Sequence, residues 1–212
     1  MKIAIIGASG MAGSAIYQEA AARGHEVTGI VRNAEHAVEK LGNHAKLLVK
    51  DAFSLTKGDL SAYDVVVSAF SAPPDQAYQH VDLTAHLVAL LRETKTPRLF
   101  FILGAGSLLD ANHQPFVETI RREPGSDAWV AIPENQYKQL QFLRGVNNVN
   151  WVGVSPSATF KAGAASVPVL GQDHLLTAAD GQSHTTSGTM AKAILNEIEN
   201  PSVFQARFTV SD

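Results

Sequence analysis

The residues with the clearest chemical potential stand near the start of the chain, in Gly7-Ala8-Ser9-Gly10-Met11-Ala12-Gly13. Three glycines spaced by three suit a turn that leaves backbone N–H groups free at the first turn of a helix. Such amides, reinforced by the helix dipole, make a ready site for phosphate. Gly7 would permit the tight turn, Gly10 would let the backbone approach a pyrophosphate, and Gly13 would let the helix pack on its strand. Ser9 adds a hydroxyl donor and Met11 an amide. The dinucleotide fingerprint is GxGxxG, whereas the spacing here is GxxGxxG, so the surrounding elements must support the assignment. A glycine turn that serves packing alone is the alternative.

Further candidates follow at intervals. A site for NAD places an acidic residue at the end of the second strand, about 20 residues on, whereas an Arg there accommodates the 2'-phosphate of NADP. Arg32 holds that place, and the nearest acids, Glu26 and Glu35, fall before and beyond it. A guanidinium binds phosphate bidentately, so NADP(H) is favoured and NAD(H) stays open. Asp51, with Ala52 beside it, is placed to accept from an adenine amino group. Ala69, Phe70 and Ser71 would lie along the cofactor's path, and Gly104 near the nicotinamide.

These positions have meaning only if strands deliver them to one edge, and the hydrophobic pattern supplies such strands. Strand-like runs cover residues 2–6, 25–32, 45–49, 64–70, 98–103, 150–154 and 206–210. Helical spacing covers 11–23, 34–41, 80–94, 135–145 and 188–199. Alternating strands and helices predict a doubly wound parallel sheet of Rossmann type with helices on both faces. One domain is expected across 1–212, with residues 156–187, rich in Gly, Ala, Ser and Thr, as a small cap over the sheet's carboxyl edge.

Composition removes several classes. The 212 residues hold no cysteine, which excludes disulfides, zinc-thiolate sites and thiol nucleophiles. A net charge of −3 without a basic run argues against nucleic acid as a partner. The first apolar run ends at Gly7, far short of the roughly 7–15 residues of a secretory core or the about 20 of a membrane helix. A soluble, cytoplasmic chain is expected, monomeric or homodimeric. Among the eight histidines, His80 and His86 share a predicted helix with Asp82 but form no metal-ligand motif, and no metal is expected. No GxSxG elbow is present for hydrolysis.

GASGMAG, Arg32, DVVVSAF (64–70), GAGS (104–107), WVGVSPSATF (151–160) and GQSHTTSGTMAKAIL (181–195) together resemble the atypical short-chain dehydrogenase/reductases. The nearest likeness is to the NAD(P)H-binding, NmrA-like subgroup often labelled NADH-flavin reductases. The resemblance spans nearly the whole chain. It implies a cofactor-binding Rossmann fold and reduction of FMN, FAD or a quinone as the activity.

The wider superfamily carries YxxxK on one helix face. Here Tyr137 is followed four residues on by Gln141, and Lys138 points about 100° away from Tyr137. By the resemblance, Tyr137 and Ser107 are the candidate catalytic residues; a Tyr that packs its ring and wets its hydroxyl is the alternative. Phe70, Tyr137 and Phe160 would line the acceptor site, with His184 at its border. Reducing a simple carbonyl needs a positioned proton donor. A flavin or quinone instead yields a delocalised anion that solvent can protonate, so a missing Lys suits a planar acceptor. It equally suits a non-catalytic NADP(H)-binding redox sensor.

Overall fold

The computed structural model describes residues 1–212. In chain order the elements are β1 (Lys2–Ile6), α1 (Met11–Ala22), β2 (Glu26–Val31), α2 (Ala34–Leu41), β3 (Leu47–Val49), α3 (Lys57–Leu60), β4 (Val65–Ser68), α4 (Gln79–Leu91) and β5 (Thr94–Ile102). There follow α5 (Val117–Ile120), α6 (Ala131–Arg144), β6 (Val149–Pro156), β7 (Thr159–Lys161), β8 (Val169–Gly171), β9 (His184–Thr186), α7 (Ser187–Glu199) and β10 (Ala206–Ser211).

Eight strands form one sheet in the order β3-β2-β1-β4-β5-β6-β10-β8. Its pairings are parallel except that of β8 on β10. The strand order reverses between β1 and β4, the switch point of a Rossmann sheet. β-Branched and aromatic residues dominate the central strands, and their period of two divides the core in half. Ile3, Ile5, Val65, Val67, Phe100, Val152 and Val154 face α1, α2 and α7. Ala4, Ile6, Val66, Leu99, Phe101 and Trp151 face α3, α4 and α6. No helix is long and apolar enough to cross a membrane.

Four expectations are corrected. The helix placed at 135–145 starts four residues earlier, at Ala131. Pro133 is tolerated in its first turn because an N–H there has no intrahelical acceptor. The helix placed at 80–94 stops at Leu91, where Thr94 Oγ1 donates to the Leu91 carbonyl (2.7 Å) and Glu93 takes a left-handed conformation (φ 58°). The strand placed at 98–103 therefore begins earlier, at Thr94. The predicted cap is also divided. Pro156 to Phe160 border the carboxyl edge, β7 and β9 form a separate parallel ladder, and β8 leaves to become the sheet's outer strand.

Candidate functional site

The glycine turn joins β1 to α1 at the switch point. Gly7 is left-handed (φ 75°), and a Cβ there would stand 2.6 Å from the Ala69 carbonyl oxygen. Only glycine therefore lets the ends of β1 and β4 approach this closely. Gly7 N–H donates to Ile30 O (3.0 Å) and Ala69 N–H to Ile6 O (3.0 Å), so three strand ends are stitched together beneath the turn. Gly10 caps α1 without a side chain. The N–H groups of Ser9, Met11 and Ala12 find no acceptor in the protein. Free amides at a helix start, over a backbone that only glycine can form, fit a pyrophosphate.

Two clefts meet at this turn, sharing Gly10, Ala69, Phe70 and Ser71. The first, of about 360 Å³, runs past the ends of β2 and β3 and is lined by Gly7, Ser9, Arg32, Asp51 and Ala52. Arg32 is exposed and makes no ion pair or hydrogen bond with the protein, which leaves its guanidinium free. His36 and Lys50 line the same cleft. Lys50 is anchored by Asp59 (2.6 Å), and this bond together with those from Thr56 holds the Asp59 carboxyl down at about 2. Asp51 accepts from the Phe53 amide (2.8 Å), so one of its oxygens is committed to capping a short turn. Phe70 is wedged edge-on between Phe53 (5.9 Å) and His80 (5.5 Å). Burial keeps His80 neutral, with its pKa lowered to about 4.

The second cleft, of about 520 Å³, opens between the ends of β4, β5 and β6 and the start of α6. Met11, Phe70, Trp129, Ile132, Pro133 and Phe160 make its walls, with Gly104 to Gly106 on the β5 side. Ser71, Gln136, Ser157 and the indole N–H of Trp129 are its only polar side-chain groups, and none of its lining residues is ionisable. Ser157 is already engaged, donating to the Val210 carbonyl (3.1 Å).

Eleven of the twelve cofactor candidates line this double cleft. The exception, Gly13, lies behind the turn, where a Cβ would run into the Gly7 carbonyl oxygen. It shapes the turn without facing the cleft. Both catalytic candidates fall outside the lining. Ser107 is buried and its hydroxyl accepts from Arg207 Nη1 (3.1 Å). Arg207 also donates to Ser155 Oγ (3.1 Å) and pairs with Asp173, so Ser107 belongs to a structural network under the β5 turn. Tyr137 is half-buried and points away, because α6 turns Pro133 and Gln136 to the cleft. Four residues beyond Gln136 is Leu140, wholly buried, and Gln141 is exposed. His184 is held between Asp212 (2.9 Å) and Asp180 (2.9 Å), outside the lining of either cleft. His86 binds the Leu55 carbonyl (2.9 Å).

Sequence reasoning missed His36, Lys50, Trp129, Pro133 and Gln136. A basic residue one turn into α2 was a usable signal for His36. Nothing local announced Trp129 or Gln136, which arrive through the packing of the 105–136 segment.

The family model described as NAD(P)H-binding matches residues 7–201. The uncharacterized protein YwnB of Bacillus subtilis is 37% identical, covering 99% of this chain and 98% of its own length. A crystal structure from Lactobacillus casei is 44% identical with a TM-score of 0.93, covering 100% of this chain and 99% of that one. SP1627 of Streptococcus pneumoniae TIGR4, provisionally an NADH-flavin reductase, is 33% identical with a TM-score of 0.88, covering 100% and 99%. The family match over residues 7–201 and the full-length relatives agree: this chain belongs to the NAD(P)H-binding family.

Proposed function

We propose that the protein is an NADP(H)-dependent reductase that passes a hydride to a flavin, a quinone or a similar flat acceptor. The observation that carries this reading is the absence of any ionisable side chain from the lining of the second cleft, where the cofactor's nicotinamide would lie. An isolated carbonyl would be reduced to an alkoxide, which needs a positioned acid. A flavin or quinone spreads the new charge over its rings. When bound, the reduced nicotinamide supplies two electrons and one proton as a hydride, and solvent supplies the acceptor's second proton.

The chain's own residues bind, orient and exclude water. The amides of Ser9, Met11 and Ala12 would hold the pyrophosphate, and Ala69 to Ser71 line both clefts. Phe70, Phe160 and Trp129 surround flat rings with apolar surface. Preference for NADP(H) rests on the free Arg32 guanidinium, with His36 and Lys50 along the same cleft and no carboxylate at the end of β2. The provisional activity of the Streptococcus pneumoniae relative supports the reaction class and leaves the NADP(H) preference to these residues.

The test is NADPH oxidation by the purified protein with FMN and with menadione as separate acceptors. Turnover above the uncatalysed rate with either is expected. Tight NADPH binding with no turnover on both would overturn the reductase reading in favour of a cofactor-binding sensor.

A further inference from the structure

Resting on that reductase reading, the geometry points to Gln136 as the residue that engages the acceptor. We propose that its side-chain N–H donates to a ring carbonyl oxygen of the acceptor and stabilises the negative charge that reduction places there. The acceptor class is then a conjugated ring carbonyl compound.

Three observations meet at this side chain. Its carboxamide is packed directly over Gly104, where a Cβ would occupy the same space as Gln136 Oε1. A second glycine of that turn, Gly106, admits Pro133 in the same way, with a Cβ placed 2.8 Å from that of the proline. The turn after β5 is thus built of glycine so that the first turn of α6 can lie against it. Next, the amide groups on either side of Gln136 along α6 spend their N–H inside the protein: Asn135 donates to the Ala131 carbonyl (2.8 Å) and Gln139 to Thr84 Oγ1 (2.8 Å), leaving the buried Gln139 Oε1 without a partner. The Gln136 side chain makes no hydrogen bond to the protein, although it lies in the lining of the cleft. Finally, its surroundings are apolar, which strengthens any hydrogen bond formed there and gives the acceptor few other polar partners.

The chemistry follows from what an amide offers. It cannot transfer a proton, so it does not act as a general acid. Hydride delivery puts two electrons and one proton on the acceptor and leaves a negative charge shared between the ring and its carbonyl oxygen, and solvent supplies the second proton. A fixed N–H aimed at that oxygen lowers the barrier without giving up its proton. An amide also carries a donor beside an acceptor. It can therefore pair twice with the adjacent C=O and N–H of an isoalloxazine ring, but only once with a quinone carbonyl.

The experiment compares wild type with Gln136→Leu and the near-isosteric Gln136→Glu, which keeps the shape and loses the donor. It reads NADPH affinity by titration, FMN affinity in the NADP+-loaded protein by flavin fluorescence, and kcat/KM for FMN and for menadione. Both variants should bind NADPH within about twofold of wild type and lose roughly ten- to hundredfold in kcat/KM. A larger loss for FMN than for menadione supports the paired imide contact, and an equal loss supports a single carbonyl contact. Wild-type kcat/KM in variants that bind NADPH normally would overturn the assignment. If wild type turns over neither acceptor, the reductase reading fails and FMN binding still decides for Gln136. Weaker binding in both variants upholds the contact, whereas unchanged binding, or none to wild type, removes it.

Discussion

Side chain by side chain, the site separates groups that face a ligand from groups that shape the backbone. Arg32 faces the cleft with no protein partner, so removing it should cost binding and not stability. Arg32→Ala is expected to weaken NADPH about ten- to hundredfold, the range for a charged hydrogen bond, while NADH affinity changes little. Paired titrations of both cofactors check this, and equal affinities unaltered by the substitution would overturn the NADP(H) assignment. Gly13 is of the other kind. Gly13→Ala drives a methyl into the Gly7 carbonyl, and overpacking of this sort costs about 1–3 kcal/mol. A lowered Tm together with weakened binding of both NADPH and NADH is expected. Arg32→Ala, by contrast, should leave Tm unchanged.

Among the elements, the ladder of β7 and β9 carries Phe160 to the cleft and is tied down at its far side by His184. The carboxylates of Asp180 and Asp212, each 2.9 Å from a ring nitrogen, raise the His184 pKa, while Lys161 opposes them. A histidine whose folded pKa lies above its unfolded value stabilises fully below the unfolded value, about 6.5. That contribution fades as pH rises through the folded value. The Tm difference between wild type and His184→Gln should therefore be largest near about pH 6 and shrink in alkaline buffer. A difference that grows with pH would contradict the clamp. The rotation of α6 is also decided at this scale. Burial of Leu140 and Leu143 against the sheet turns Gln136 to the cleft and Tyr137 away. A step of one residue turns a helix by about 100°, so this choice decides which chemistry the site has.

Across the whole molecule, one buried ion pair joins its distant parts. Arg98 on β5 donates to Glu197 on α7 (2.5 Å), and Glu197 also accepts from the Ser202 amide (2.9 Å), the Ser202 hydroxyl (2.7 Å) and the Val203 amide (2.9 Å). Burial alone would raise the Glu197 pKa, but the bonds from Ser202, Arg98 and Val203 prevail and hold it below the ordinary value. Its stabilisation is thus present above the unfolded pKa and lost as pH falls through the folded one. Glu197→Gln leaves the Arg98 guanidinium buried without a counter-charge, which costs about 3–5 kcal/mol. Denaturant unfolding at neutral pH should show that loss, and the gap to wild type should narrow in acid.

Local pattern in the chain carries the sheet, the glycine turn and the place of Arg32 at the end of β2. Apolar runs of period two, helices between them and a glycine triplet after the first strand leave few other arrangements. The second cleft is set by tertiary structure. Tyr137 and Ser107 suited their roles by type, yet α6 turns the first aside and Arg207, 100 residues on, holds the second in a buried network. Gln136 and Trp129 enter the cleft through helix rotation and long-range packing. Those are set by the summed burial of many side chains, and no short stretch of the chain encodes them.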